Sequence, residues 1–187
     1  YKGFVMSDWG AVPNIEAALK GLDQQSGEQL DPGVFFGDKL KDKAMTDITA
    51  LARQFIEAIP HSRALGMRLE SLGEGRVVMT MPYDTRFVGD PATGVLHGGA
   101  VSSLLDTASG AAVMCHPAAP VSTATLDLRI DYFRPATPRQ TITARAECYH
   151  VTRSVAFVRV TATDEDATRP VAAATGAFTL DRPRGLI

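Results

Sequence analysis

One stretch of the chain reads GVLHGGA at residues 94–100 and continues without a break as VSSLLDTASGAAVM at residues 101–114. The second part predicts a helix, because apolar residues recur at steps of three and four and mark one core-facing stripe. That stripe comprises Val101, Leu104, Leu105, Ala108 and Ala112. Gly98 and Gly99 stand where the helix begins, and they permit tight backbone geometry there. The stretch therefore predicts a loop with a glycine pair that opens into one long helix.

The start of this helix is a candidate site for a developing negative charge. The first helical turn has N–H groups without intrahelical acceptors, and the helix dipole places positive charge there. Asp106 follows His97 by nine positions. It lies inside an apolar, alanine-rich segment, where no neighbouring residue explains the presence of a carboxylate. Each feature alone is also typical of ordinary structure: a tight turn, a hydrogen-bonded histidine spacer, a solvated aspartate. Their combination indicates an active site.

These motifs also resemble those of a known family. The segments GVLHGG at residues 94–99 and LLDTA at residues 104–108 are similar to the signature of hotdog-fold acyl-CoA thioesterases of the phenylacetate-pathway (PaaI) type. The resemblance extends from about Met45 to the C-terminus, and it includes ATLDLRIDYFRP at residues 124–135, which is similar to the family's strand after the helix. It implies an α+β hotdog fold, in which an antiparallel sheet wraps around one long central helix.

The remaining patterns agree with such a fold. Residues 66–70 and 76–82 alternate apolar and polar side chains around a Gly-Glu-Gly turn, and four strand-like runs at 122–133, 140–151, 154–163 and 170–180 follow the helix. A single long helix among antiparallel strands packs most economically when the sheet curls around it. Upstream, we expect an amphipathic helix over 49–59 that Pro60 ends, and a polar loop over 83–93.

The resemblance implies roles for individual residues of a thioesterase site. The Gly98 N–H would be the main donor to the oxyanion, Gly99 would assist through the helix terminus, and His97 would fix the loop near the thioester. Asp106, expected to be ionised at pH 7, would activate water as a general base or attack the carbonyl itself. The sequence does not distinguish between these two routes, and we favour the general base. Thr125 matches a family position whose hydroxyl orients the water or carboxylate, and it is equally consistent with a strand-surface threonine.

Four further residues are weaker candidates for substrate binding. Ser102 shares the flank of the helix that carries Asp106. Asp90 is the nearest match to a family asparagine, but an ionised aspartate offers only acceptors, so no oxyanion role is transferred to it. Arg134 and Arg153 suit the phosphates of coenzyme A, since guanidinium groups make bidentate phosphate contacts, but solvated strand residues have the same pattern. No metal site is expected from the histidine and cysteine spacing.

The resemblance further implies a homodimer, or a dimer of dimers, whose sheets join edge to edge. The Asp106 flank of the helix also carries Ser102, Ser109, Gly110 and Val113, and its small residues would let another surface approach closely. Glycine amides of one subunit would then face the aspartate of the other, in two equivalent interface sites. Joining the edges would also cover an exposed edge strand, and a symmetric contact is the commonest solution.

Residues 1–44 differ from the rest. YKGFVMSDWGA at residues 1–11 is similar to the strand of family 3 β-glucosidases that ends in their catalytic aspartate, here Asp8. A retaining glycosidase needs a second carboxyl group and a site built on a barrel of roughly 250 residues, so we expect this fragment to be inert. Because the chain begins at Tyr1 and Met45 resembles a natural start, we expect a chimeric N-terminus and linker, without a domain of its own, before a hotdog domain over 45–187.

Composition narrows the classes of function. A net charge of −2 gives no electrostatic basis for binding nucleic acid or an anionic membrane. No apolar run approaches the ~18 residues of a membrane span. Two cysteines and a start without a signal-peptide pattern favour a reducing cytoplasm.

The sequence therefore predicts an acyl-CoA thioesterase for small aryl or medium-chain acyl groups. Coenzyme A would enter as part of the substrate, and no other cofactor is expected. A non-catalytic acyl-thioester binding module remains an alternative, and it would not require Asp106. An acyl-thioester dehydratase or hydratase is a weaker alternative, because that class moves protons with a His motif that the sequence lacks.

Overall fold

The computed structural model describes residues 52–54, 56–118 and 120–181. The segment 1–44, with the expected inert glycosidase-like fragment and linker, lies outside the described residues, so its origin and role stay predictions.

The described part of the chain contains two defined α-helices, α1 (Pro60–Ala64) and α2 (Gly98–Met114). Residues 52–54 and 56–58 are also helical. The strands, in chain order, are β1 (Arg68–Gly73), β2 (Arg76–Met81), β3 (Val88–Asp90), β4 (Val95–Leu96), β5 (Thr125–Tyr132), β6 (Ile142–Val151), β7 (Val155–Thr163) and β8 (Ala172–Thr179).

Six strands form one antiparallel sheet in the order β1-β2-β6-β7-β8-β5, while β3 and β4 form a separate short ribbon. The inner face of the sheet packs against α2, whose predicted apolar stripe is buried along its whole length. Residues on β6 alternate between this core and the outer face, as Ile142, Ala144 and Ala146 show. The predicted α+β hotdog arrangement, a sheet wrapped around one long central helix, is confirmed.

The first hairpin is set by two residues with positive φ. Glu74 and Gly75 have φ values of 49° and 79°, and Gly73 pairs directly with Arg76 across the turn. Two positive φ values are typical of the tight turns whose twist matches that of the flanking strands. A Cβ at Gly75 would lie only 3.0 Å from the His116 ring, so this position also lacks room for a side chain. The predicted turn at Gly73-Glu74-Gly75 is therefore confirmed.

Two local expectations upstream of α2 need correction. The helical segment before Pro60 ends at residue 58, but Pro60 itself begins α1 and does not end the helical region. A proline suits this position because an N–H at the first helical turn would be unpaired anyway. The expected polar loop over 83–93 contains a 3-10 turn, Thr85–Phe87, followed by β3. The ribbon of β3 and β4 is too short to produce a periodic sequence signal.

The flank of α2 that carries Asp106 is less open than expected. Ser109, Gly110 and Val113 are fully buried within a single copy of the chain, whereas Ser102 and Asp106 are half-buried. The curled sheet covers more of the helix than the apolar stripe alone, and small side chains permit this close packing. Only the N-terminal half of that flank is left accessible to another surface.

Candidate active site

His97 caps the N-terminus of α2. Its Nδ1 accepts a hydrogen bond of 2.9 Å from the Gly99 N–H, so the neutral ring carries its proton on Nε2. A Cβ at Gly99 would lie 2.9 Å from the same Nδ1, and any larger residue there would displace the imidazole. The cap and the glycine thus depend on each other, and the arrangement suits a histidine that fixes the loop.

The amide of Gly98 is the one left open at this helix start. The Gly99 N–H donates to the His97 ring and the Ala100 N–H donates to the His97 carbonyl. No group in the described parts of the chain accepts a hydrogen bond from the Gly98 N–H. Gly98 is therefore available as an oxyanion donor. The Gly99 N–H already has the His97 ring as its acceptor, and the assisting role expected for Gly99 through the helix terminus stays a prediction.

The carbonyl of Gly98 is held by a residue that the sequence did not single out. Tyr132, the last residue of β5, donates its hydroxyl to the Gly98 carbonyl oxygen at 2.8 Å. A Cβ at Gly98 would lie 3.4 Å from the phenol oxygen, at ordinary contact distance. The only signal in the sequence was an aromatic residue near the end of a strand, which is common in any sheet.

Asp106 is held from the opposite end of the same strand. Thr125, the first residue of β5, donates its hydroxyl to Oδ1 of Asp106 at 2.8 Å. Burial raises the pKa of Asp106 above its ordinary value, and the hydrogen bond from Thr125 opposes part of that rise. The carboxylate is therefore a stronger base than a solvated aspartate, and it has a fixed orientation.

A β-bulge turns Thr125 toward the helix. Thr125 pairs with Phe178 and Asp127 pairs with Ala177, which leaves Leu126 as an extra residue that is 58% exposed. The extra residue lets both Thr125 and Leu128 face the core. On β8, a Cβ at Gly176 would overlap the Asp127 carbonyl, so only glycine lets the neighbouring strand follow the bulge.

Gly98 and Asp106 are too far apart to act on one carbonyl group within a single copy. They are eight residues apart on α2, a separation of about 12 Å along the axis of a helix that rises 1.5 Å per residue. A reacting carbonyl must lie about 3 Å from both its donor and its base or nucleophile. Gly98 and Asp106 of one chain therefore do not act together on one carbonyl group.

A cavity of about 350 Å³ lies beside the Gly98 half of the site. Most of its wall is apolar. The apolar lining residues are Val95, Leu96, Val101, Phe133, Pro135, Ala136 and Val171. The polar lining consists of the Gly98 backbone, the Tyr132 phenol and Arg134. Such a cavity suits an apolar group attached to a polar centre at Gly98.

Arg134 does not have the free guanidinium expected of a phosphate ligand. It makes a bidentate ion pair with Asp164, at 2.7 and 2.8 Å, and also donates to the Arg169 carbonyl. The Asp164 side chain is 1% exposed, and the Arg134 guanidinium holds the pKa of its carboxyl well below the ordinary range. Asp164 also accepts hydrogen bonds from the backbone N–H and hydroxyl of Thr137. The ion pair therefore fixes the loop after β5, which forms one wall of the cavity beside Gly98.

The three other predicted substrate-binding residues, Asp90, Ser102 and Arg153, lie in different parts of the fold. The carboxylate of Asp90 accepts hydrogen bonds from the Ala92 N–H and the Thr93 hydroxyl, so this exposed residue shapes the β3–β4 turn. Ser102 donates to the Gly99 carbonyl, next to the glycine pair. Arg153 is exposed in the β6–β7 turn.

Within the described ranges, no three His, Cys, Asp or Glu side chains are close enough together to hold a metal ion. None of the helices in those ranges has the apolar length that a membrane crossing requires.

Known sequences similar to this chain include esterases and thioesterases. The family model of the thioesterase superfamily matches residues 93–171. A putative esterase of Halobacterium salinarum is 33% identical over 93 residues, a match that spans 48% of this chain and 62% of that relative. A medium/long-chain acyl-CoA thioesterase, YigI of Salmonella typhimurium, is 29% identical over 129 residues, which spans 62% of this chain and 83% of that relative.

Solved structures agree with these sequence matches. A Pseudomonas aeruginosa protein of known structure is 39% identical, with a TM-score of 0.63 over 71% of this chain and 98% of that one. A mutant form of the phenylacetic acid degradation protein PaaI from Thermus thermophilus is 30% identical, with a TM-score of 0.57 over 65% of this chain and 98% of that one. By its fold, its glycine-led central helix and these relatives, the chain belongs to the thioesterase superfamily, the hotdog-fold family of thioester hydrolases.

Proposed function

We propose that the protein hydrolyses acyl-CoA thioesters in sites formed between two copies of the chain. The observation that carries the proposal is the pair of complementary groups on α2. One is the open Gly98 amide beside an apolar cavity, and the other is the Asp106 carboxylate oriented by Thr125. Hydrolysis of a thioester needs both a donor for the oxyanion and a group that activates water.

In the proposed reaction Asp106 acts as the general base. It accepts a proton from water as the water oxygen bonds to the thioester carbonyl carbon. The Gly98 N–H stabilises the oxyanion, and its contribution is about 3 kcal/mol if it resembles known donors of this kind. Collapse of the intermediate breaks the carbon–sulfur bond, and the coenzyme A thiolate takes up the proton. The raised pKa of Asp106 favours this role, because a stronger base accepts the water proton more readily.

A dimer through the free edge of β5 would complete the site. β5 lies at the end of the sheet, so its outer edge has no partner strand among the described residues of this chain. Thr125 holds Asp106 at one end of β5, and Tyr132 contacts Gly98 at the other. Antiparallel pairing of two β5 strands would bring Asp106 of one copy toward Gly98 of the partner subunit. The exposed side chains of Leu126 and Phe133 on this edge support the proposal.

Of the two acyl classes expected from the sequence, the cavity favours a medium-chain acyl group. An apolar protein cavity of about 150 Å³ is enough to hold benzene. The cavity beside Gly98 has more than twice that volume, so a single aryl ring would leave much of it unfilled. The YigI relative is named a medium/long-chain acyl-CoA thioesterase, which also supports a medium-chain acyl group.

Coenzyme A would be bound outside the cavity as part of the substrate. Arg153 remains the candidate for its phosphates, because it is exposed and lies at the end of the sheet where β5 begins. A reducing cytoplasm, expected from the cysteine content, also remains a prediction.

The test is free-thiol release from acyl-CoAs of increasing chain length and from phenylacetyl-CoA. We expect wild-type turnover to be highest for medium chains, and we expect Asp106→Asn to lower it by at least ~100-fold. Glu70→Gln is the matched control, because it makes the same change from carboxyl to amide at an exposed residue of β1, the strand at the opposite end of the sheet from β5. If Asp106→Asn keeps full activity, the assignment of the base is wrong. If the wild-type protein binds acyl-CoA but releases no thiol, it is a binding module instead.

A further inference from the structure

Four side chains hydrogen-bond to the backbone of the glycine pair at the start of α2: His97, Tyr132, Ser102 and Ser103. His97 holds the Gly99 amide, while the Tyr132 phenol holds the Gly98 carbonyl at 2.8 Å. The hydroxyls of Ser102 and Ser103 both donate to the Gly99 carbonyl. Among the described groups, Tyr132 is thus the one side chain that hydrogen-bonds to Gly98.

The orientation of Gly98 matters because its N–H is the open donor. Glycine has more backbone freedom than any other residue, and the first helical residue lacks an intrahelical bond at its N–H. The Gly98 N–H and the Gly98 carbonyl lie in adjacent peptide planes that meet at the Gly98 Cα, so a hydrogen bond that holds the carbonyl restricts the rotations that would turn the N–H. The phenol ring lies on the side of Gly98 where a side chain would begin, because a Cβ there would be 3.4 Å from the ring carbon that bears the hydroxyl.

We propose that Tyr132 is a positioning residue for the oxyanion donor, and that it aims the Gly98 N–H by holding the Gly98 carbonyl. The inference rests on the proposed thioesterase function and extends it to a residue that does not itself bond to the reacting atoms. The hydroxyl acts on the backbone, while the ring forms part of the cavity wall. Removing the hydroxyl alone therefore separates these two contributions.

The chain offers two matched controls for Tyr132→Phe. Tyr83 donates its hydroxyl to the Gly94 carbonyl at 2.9 Å, so Tyr83→Phe loses the same kind of bond in the neighbouring loop. Tyr149 is 51% exposed, similar to the 50% of Tyr132, but it lies on β6 beneath Arg159. Tyr149→Phe therefore reports the effect of losing an exposed phenol elsewhere.

The experiment measures kcat, KM and melting temperature for the wild type and the three variants with a medium-chain acyl-CoA. We expect Tyr132→Phe to lower kcat by about 2- to 12-fold, the range that corresponds to one lost hydrogen bond. We expect its KM and chain-length preference to stay unchanged because the ring remains. The pH profile of kcat should also match the wild type, since Asp106 and Thr125 are untouched. Tyr83→Phe and Tyr149→Phe should keep wild-type kcat.

Three results would overturn this inference. An unchanged kcat in Tyr132→Phe would show that the phenol does not position the donor. A change in KM alone would make Tyr132 a binding residue. An equal loss of kcat in Tyr83→Phe would point to a general structural effect. A wild-type protein without thioesterase activity is a separate outcome, which would overturn the proposed function and this inference with it.

Discussion

The hydroxyl of Thr125 donates a 2.8 Å hydrogen bond to Oδ1 of Asp106. This contact joins the outermost strand of the sheet to the helix at its centre. A β-bulge and Gly176 on the neighbouring strand make it possible, because they keep Thr125 turned inward. A change at the edge of the sheet therefore reaches the carboxylate directly.

Removing the Thr125 hydroxyl should shift the acid limb of the pH–rate profile to higher pH. The hydrogen bond favours the ionised form of Asp106 and opposes the effect of burial, so its loss raises the pKa further. Since the proposed base must be ionised, Thr125→Val should need a higher pH for half-maximal kcat/KM. Thr125→Ser should retain the wild-type profile, and Thr175→Val, on the exposed face of β8, is the control. An unshifted acid limb in Thr125→Val would contradict this account of the carboxylate.

Gly98→Pro tests the amide donor without removing a side chain. Proline favours the first position of a helix, and His97 already has the extended backbone, φ −64° and ψ 135°, that precedes proline readily. We expect kcat to fall by about 100- to 1000-fold, as for the loss of one oxyanion donor. Circular dichroism and melting temperature would verify that the fold persists. Near-normal turnover in a folded Gly98→Pro protein would rule out this donor.

Asp164→Asn should destabilise the fold. It leaves the largely buried Arg134 guanidinium without its partner, a change that typically costs about 3–5 kcal/mol. Because the pKa of Asp164 is lowered in the fold, the pair stabilises the wild type above the ordinary aspartate pKa of about 3.9, and this stabilisation is lost as the pH falls below it. Urea unfolding at pH 7 and pH 3.5 measures both effects. The difference between variant and wild type should shrink at the lower pH, and a constant difference would contradict the assignment.

The sequence predicted the structural features that depend only on residues close together along the chain. The stripe of α2 and the turn at Glu74 and Gly75 follow from helical periodicity and from local backbone preference, and both are confirmed. The placement of Gly98 at the helix start belongs to the same class. These features need no knowledge of which strands pair.

Contacts between residues that are distant in the chain could not be predicted from the sequence. Arg134 is 30 residues from Asp164, and Tyr132 is 34 from Gly98, so each contact depends on the register of the whole sheet. A one-residue change in register would turn these side chains to the other face. The ion pair of Arg134 with Asp164 was not foreseen for this reason, and Tyr132 was missed for the same reason. The phosphate role of Arg134 stays a prediction.

Subunit mixing tests the central claim, a site shared between two copies, most directly. Asp106→Asn and Gly98→Pro proteins, each inactive alone, would be unfolded together, refolded and assayed for thiol release. In a mixed dimer, one site combines the intact Asp106 of one copy with Gly98 of the partner subunit. A random mixture of symmetric dimers should therefore recover about one quarter of wild-type activity. No recovery, with mixed dimers verified by differently tagged chains, would contradict a shared site.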